Sequence, residues 1–533
     1  MRSTLRHFIH YIDSEIMRQQ LSITPTGRIN RRDLPDEIGD NEVLSRENFE
    51  VVGIGNQKRN RKIAGASRFS DTNTGTSYVW GYRYYTRTGG SDVRKTFTFN
   101  SNGKLYFIDD NGAESELLGV FSPSARPCAE VVRVSSNDVL FFSEGISTGM
   151  YSHDGNASNL FEQETLVTLN FVDMVSHLDR LFGVEENQED VNFSKNLDPT
   201  NFTDSTDAGS FTVGPKRSSK IQRLVIMNET LFILKQDSIW RLVGRSPAEF
   251  ELREVVSHIG CAARGSVQQT DNGIIFLGSD YEFYYFGGTA DSLKMLSYNL
   301  AVGGDLTANL IPIINRDKME SIVSEYHDKV YRCSFVENGR VTNNLEYCFS
   351  TANETDWLTR DFNISCYICW DRHPDKHELF TGRTDLGRLM KMNIGLNVDN
   401  DASSPTMPFK LQTKFIGSEQ PENLRFKQAY FNFGVLGAEP LHVFYYLDGR
   451  TARSSSANDD WITRGEYNTV AGINISSQRT ITSRLNLKYG KSKGQNISFE
   501  IDHTGRDINV ELSSIDLIVI TPKAMKLSHK VAA

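Results

Sequence analysis

Residues 94–117, RKTFTFNSNGKLYFIDDNGAESEL, read as a strand, a polar turn, an aromatic strand, a turn with glycine, and a further strand. The turns fall at Asn102-Gly103 and Asn111-Gly112. Asn-Gly suits a tight two-residue hairpin because both central residues can take positive φ. The same unit recurs along the chain. It returns at 130–155 (EVVRVSSNDVLFFSEGISTGMYSHDG), 222–242, 266–288, 320–339 and 365–392, with a more divergent copy at 168–194. Short alternating runs rich in Val, Ile, Phe and Tyr, broken by Gly, Asn and Asp, are strand text rather than helix text.

Recurrence at a roughly constant period has a physical meaning. A sheet of three or four strands cannot bury both faces alone, but radial stacking lets each sheet cover its neighbour. About 320 residues at ~40–45 per sheet gives six to seven blades. The expected fold class is therefore all-β: a β-propeller over 71–398, followed by a β-sandwich-like domain over 405–533. Residues 397–408, NVDNDASSPTMP, form a linker of turn and breaker residues. After it, 426–453 and 495–522 each read as two strands. Phe499 and Ile501, then Val510, Leu512, Ile515, Leu517 and Val519, supply the two-residue faces of a sandwich.

Residues 1–70 are expected to form a short N-terminal helix and an extended docking segment. Leu5, Phe8, Ile9, Ile12 and Ile16 make one helical stripe over 3–20. Lys58, Arg59, Arg61 and Lys62 form a compact basic cluster. It reads either as a solvated turn or as a contact to an acidic partner or phosphate. Stripe and cluster together are the candidate inter-subunit or adaptor contacts.

Composition narrows the function classes. The 533-residue chain carries 58 Lys+Arg against 67 Asp+Glu, a net charge of -9. From residue 405 onward 16 basic residues face 12 acidic ones, so the acidity belongs to the earlier part, where 42 face 55. An acidic chain does not suit tight reading of nucleic acid, which works by counterion release from a basic surface. No stretch reaches ~18 uncharged apolar residues, so no helical membrane span is expected. MRSTLRHFIHYIDSEIMRQQ is not a signal peptide, because His10, Asp13 and Glu15 break its apolar part. Six scattered cysteines read as small buried hydrophobes made in a reducing compartment.

Catalytic and metal signatures are weak. Gly490-Lys491-Ser492-Lys493-Gly494 matches a nucleophile elbow in letters only, since strand text follows it. As a phosphate loop it fails because Leu485 occupies the required glycine position. Cys366, Cys369, His373 and His377 resemble a zinc set, yet three residues between the pairs are too few to fold a ligand helix back. A hairpin turning at 371–376 is the better reading. Asp71, Asn73 and Gly75, and separately Asp399 and Asp401, are turns rather than full calcium ladders. The expectation is a protein that is not an enzyme, with no metal and no cofactor.

Three stretches, in order, carry a family resemblance. The first is DLPDEIGDNEVLSRENFEV (33–51) followed by GNQKRNRKI (55–63). The second is FSKNLDPTNFTD (193–204), with Ser194, Asp198, Pro199 and Phe202. The third is 219–242 followed by 255–288, with Ile259, Gly260, Cys261, Ser266, Val267, Gly273, Phe276, Leu277, Gly278, Tyr285 and Gly287. Together they resemble the tail nozzle, or head-to-tail stabilisation, proteins of short-tailed bacteriophages, over roughly 30–400. The resemblance implies a structural virion protein of the phage tail, made in the host bacterial cytoplasm. It implies a hexameric homo-oligomer below the portal and adaptor, next to tail fibre or spike proteins. That ring continues the channel for double-stranded DNA without reading its sequence, retains the genome and permits ejection. An acidic wall would keep DNA moving in such a channel. The alternative is a carbohydrate-binding propeller lectin or receptor-binding tail fibre component. Against it, Trp80, Trp240, Trp357, Trp370 and Trp461 do not recur at one blade position.

Overall fold

The computed structural model describes residues 16–522, apart from 31–38, 40, 54–56, 71–75, 89–90, 109–111, 119–120, 124, 135–136, 147–148, 155–161, 165–166, 215–218, 298–312, 361, 374–375, 386, 394–407, 418–423, 438–441, 448–464, 469–474, 487–492, 495 and 504–507. Within that range the recurring unit is a set of four antiparallel strands that occurs seven times, six as separate sheets and one as part of a ten-stranded sheet. Blade 1 is Tyr78–Thr88, Ser91–Asn100, Leu105–Ile108 and Glu114–Leu118. Blade 2 begins at Cys128–Val134, blade 3 at Phe171–His177, blade 4 at Ile221–Met227, blade 5 at Gln268–Gln269, blade 6 at Val323–His327 and blade 7 at Ile364–His373. Blade 7 takes only three strands from its own stretch. Its fourth is Ala66–Arg68, which pairs antiparallel with Leu389–Met392. The chain thus fastens the last blade with a strand laid down before the first, so the ring closes by backbone hydrogen bonds.

The packing repeats as the strands do. One hydrophobic cluster joins the sandwich core to blades 5 and 6, and the others lie between consecutive blades. Phe97, Phe99, Leu140 and Phe142 join blades 1 and 2. Phe232 and Phe286, with ring centroids 5.4 Å apart, join blades 4 and 5. Tyr78, Ile108, Ile368 and Phe380 join blade 7 back to blade 1. Burying such a side chain stabilises by about 1.5–3 kcal/mol, a gain available only when a neighbouring blade is present. The seam between blades 7 and 1 is tightest at Gly81, where an added Cβ would lie 2.2 Å from Ile368 Cδ1.

Tight hairpins connect first and second strands, but without the expected Asn-Gly. Leu178-Asp179, Asn228-Glu229 and Asp328-Lys329 each sit between directly paired residues and hold φ between 49° and 62°. They are two-residue turns with both φ values positive. Asn102-Gly103 instead lies in a longer loop, 101–104. Its Asn100 side chain accepts the Asn102 and Lys104 N–H groups at 3.1 and 3.0 Å. Gly103, at φ 78°, passes so near Phe121 that a Cβ would meet the Phe121 carbonyl oxygen at 2.1 Å.

The second domain is a two-sheet sandwich. One sheet runs Phe49–Val52, Arg59–Lys62, Ile508–Pro522, Leu424–Gly437, Ile475–Asn486, with Ile16–Ile23 also on Ile508–Pro522. The other contains Val43–Glu47, Phe409–Thr413, Asn496–His503, His442–Leu447 and Gly465–Asn468. Phe431 and Phe499 meet edge to face between the sheets at 5.3 Å. Val43–Glu47 also bridges Leu358 of blade 6 through Glu47, so blade 6 and the sandwich share one continuous sheet.

The N-terminal expectations change accordingly. The described part of residues 1–70 is not a separate docking arm: it supplies strands to the sandwich and the closing strand of the propeller. Ile16, the last member of the helical stripe, begins a strand paired with Pro522. Pairing along eight residues of Ile508–Pro522 satisfies the backbone there and overrides the local helical period. Leu5, Phe8, Ile9 and Ile12 lie outside the described residues. Of the basic cluster, Arg59–Lys62 is a strand rather than a turn, with side chains alternating between faces, and Lys58 precedes it.

Candidate ligand site at the mouth of the propeller hub

The first strands of the seven blades surround the hub and start at the same end of it. At that end a cavity of about 880 Å³ opens between them. Its wall repeats one position. The third residue of the first strand faces the cavity as Trp80, Glu130, Asp173, Arg223, Glu325 and Cys366 in blades 1, 2, 3, 4, 6 and 7. In blades 1, 3, 4 and 7 the pairing register shifts between the first and third residues of that strand. A β-bulge there adds a residue, bends the strand and re-aims the side chain that follows it.

The charges at this ring are nearly balanced. Asp173 is buried, bonds Arg223 Nη1 at 2.7 Å and also accepts the Leu224 N–H. Burial pushes its carboxyl up while Arg223 pulls it down, and burial prevails. Arg264 pairs with Glu186 at 3.1 Å and donates to the Gln222 carbonyl at 3.0 Å. Lys220 lies 3.9 Å from Glu186. Glu130, accepting the Ser176 N–H at 3.1 Å, is pushed up to about 7 by burial. Glu325, accepting the Tyr326 N–H, is likewise pushed up to about 7 by burial. The rim adds Glu144, Arg126, and the short 3-10 helix Arg316–Ser321, whose Asn315 cap accepts the Asp317 N–H. Arg316 stacks over the Tyr281 ring at 4.6 Å, and Glu320 faces Arg126. Six carboxylates and five cations line the cavity, so the acidic excess of the chain is not concentrated at the hub.

Arg126 stands apart. It lines the cavity, burial lowers its pKa, and its charge senses only Cys366 and Glu320. Among the described residues no hydrogen bond or ion pair holds its guanidinium. Gln222, 8% exposed, lines the same wall, and its side-chain amide also lacks a protein partner among them. The Cys366 thiol is pushed up to about 12 by burial, so it stays protonated and is a poor nucleophile.

Trp80, Val267 and Cys366 apart, the residues singled out from sequence lie elsewhere. Arg59 pairs with Glu511 at 3.1 Å and Arg61 with Glu50, both within the sandwich sheet. Lys58 donates to the Asn353 carbonyl at 3.1 Å. Lys62 is buried with its ammonium 5.9 Å from the Phe409 ring centre. The cluster thus ties strands of its own chain. Cys366 to His377 form a hairpin, with Cys366 opposite Gly382 and Cys369 opposite Leu379. No group of three potential metal ligands occurs among the described residues. Asp71, Asn73, Gly75, Asp399, Asp401 and Gly490 to Ser492 lie outside them. Ser194 and Phe202 organise a loop of blade 3. The Ser194 hydroxyl accepts the Leu181 N–H at 2.9 Å, and Phe202 packs on Phe171 at 5.2 Å. Ser266 knits the junction of blades 5 and 6. Its hydroxyl accepts the Leu277 N–H at 3.0 Å, and its carbonyl accepts the Tyr331 hydroxyl at 2.6 Å. The hub residues went unread because each is one polar letter in an apolar strand: Glu in CAEVV, Asp in FVDMV, Arg in IQRLV. That recurrence at one blade position was the available signal.

No known family profile matches the chain, and no curated protein matches it. Solved structures do. A quinonprotein alcohol dehydrogenase-like protein from Bacteroides thetaiotaomicron aligns at 10% identity over 58% of this chain and 66% of its own, with a TM-score of 0.29. BBS1N in complex with ARL6DN aligns at 9% identity over 64% of this chain and 98% of its own, with a TM-score of 0.37. The extracellular domain of BT4673, also from B. thetaiotaomicron, aligns at 10% identity over 72% of this chain and 46% of its own, with a TM-score of 0.41. The alignment spans just under two thirds of the first and less than half of the last. The protein itself is a seven-bladed β-propeller joined to a β-sandwich.

Proposed function

We propose that the chain is a structural protein of a short-tailed phage tail, forming the nozzle ring that continues the DNA channel below portal and adaptor. The observation that carries this reading is the order of the three sequence stretches that resemble that family. Each stretch also does structural work in this chain. Val43–Glu47 and Lys58 tie the sandwich to blade 6, Ser194 and Phe202 shape a blade 3 loop, and 259–287 make the blade 5 core and its contacts with both neighbours. A propeller interlocked with a sandwich is a stiff building block, and head-to-tail contacts between such blocks close a ring when the rotation per subunit fits. The hub is not the DNA path: a cavity of about 880 Å³ matches a small ligand rather than a duplex. In this reading DNA passes between protomers, around the ring axis.

Electron microscopy of the purified protein, alone and added to portal–adaptor particles, tests the proposal. Six-fold rings stacked on the portal end are expected. A protein that remains monomeric in both settings overturns it. The lectin alternative predicts a glycan-array signal from sites repeated blade by blade, whereas the cavity here is one per chain.

A further inference from the structure

The geometry points to a binding site in the hub mouth for a small ring-shaped oxyanion, a sugar acid or a sugar phosphate, anchored by Arg126. Three observations carry it, none depending on ring assembly. First, the cavity lies within the ~300–1,000 Å³ that small-ligand pockets occupy. Second, the Arg126 guanidinium and the Gln222 amide both line it and neither has a protein hydrogen-bond partner among the described residues. The half-buried guanidinium presents its nitrogens to the cavity, and its planar fork matches a carboxylate or phosphate edge. The other cavity cations are already engaged, Arg223 by Asp173, Arg264 by Glu186, Lys220 by Asn187 and Arg316 by the Tyr281 ring, so Arg126 is the open position. Third, Trp80 and Tyr82 line the same wall, partly buried, their rings stacked on each other at 5.9 Å and Trp80 held edge-on by Phe142 at 5.5 Å, which leaves a fixed aromatic surface at the cavity. Aromatic faces of this kind accept the apolar face of a sugar ring, while Gln222 can bond a hydroxyl.

Titration calorimetry on the full chain with D-glucuronate, glucose 6-phosphate, D-glucose and inorganic phosphate tests the site. One-site saturable binding is expected for glucuronate, for glucose 6-phosphate, or for both, and the responding arm identifies the oxyanion. Glucose and inorganic phosphate should each bind at least about tenfold more weakly, because each lacks one half of the recognition. Arg126→Gln should lose at least about tenfold in affinity with an unchanged unfolding temperature. If that variant does not fold, Arg126→Lys, which keeps the charge and loses the fork, should show the same direction of loss. Gln222→Leu should weaken binding less. Absence of saturable binding by both oxyanion sugars at millimolar concentration overturns the proposal. So does equal affinity for glucose, equal affinity for phosphate, or undiminished binding by the Arg126 variants.

Discussion

Arg46 and Asp356 are both fully buried, and Arg46 Nη1 donates to the Asp356 backbone carbonyl at 3.0 Å where the propeller meets the sandwich. The remaining guanidinium nitrogens reach Asn60 Oδ1 at 2.9 Å and the Pro25 carbonyl at 3.1 Å. The Asp356 carboxylate accepts the Ile29 N–H at 2.9 Å and Arg28 Nη2 at 3.2 Å. Burial lowers the Arg46 pKa to about 10 while Asp356 opposes the fall. Four segments, distant in sequence, meet at this one polar knot: 25–30, Val43–Glu47, Arg59–Lys62, and blade 6 through both the backbone and the side chain of its last strand.

Removing one partner of this knot should cost far more than a surface pair. Asp356→Ala strands Arg28, the Ile29 N–H and the nearby charge of Arg46, and should destabilise by about 3–5 kcal/mol. Urea unfolding followed by fluorescence of Trp357, buried next in sequence, reads the loss. A change under about 1 kcal/mol would show that the knot is dispensable.

The tight hairpins carry correctable strain. Glu229 is exposed at φ 58°, a conformation glycine adopts at less cost. Glu229→Gly should stabilise by about 0.5–1 kcal/mol. Gly103→Ala should do the opposite, by about 2 kcal/mol or more, since strain and a backbone clash with Phe121 add. Thermal denaturation of the two variants should show shifts of opposite sign.

Closure of the ring depends on the space left at Gly81. Gly81→Ala places a methyl against Ile368 and should cost about 1–3 kcal/mol. Shortening the neighbour with Ile368→Val should relieve part of it, so the double variant should be more stable than additivity predicts. Strict additivity in a double-mutant cycle would refute this contact.

Glu130 and Glu325 set a pH dependence. Burial holds both near 7, above their value in the unfolded chain. Between the unfolded and folded values the folded state binds more protons, so their contribution is fully present below about pH 4.5. It falls as pH rises toward 7 and is flat beyond. Glu130→Gln and Glu325→Gln should therefore stabilise by about 1–3 kcal/mol each at pH 8 and change little at pH 4. Denaturant titrations at the two pH values check the sign.

Much of the propeller was legible. Alternating aromatic runs at 94–117, 222–242 and 266–288 became blades 1, 4 and 5, and seven blades lies within the expected six to seven. Val510, Leu512, Ile515, Leu517 and Val519 became buried residues of one sandwich strand, as their spacing indicated. The N-terminal part misled, because Ile16 fits a helical stripe in letters yet pairs with Pro522 some five hundred residues away. The hub site was hidden for a related reason: each wall residue is isolated in sequence.

The sequence by itself determined the repeated sheet, because two-residue alternation and turn chemistry act between near neighbours and leave their mark in short windows. Only the tertiary structure decided how the ring closes, by Ala66–Arg68 against Leu389–Met392, and which third residues converge around the hub. Those outcomes depend on strands and bulges meeting across hundreds of residues, where each partner's identity is set by the packing of the others.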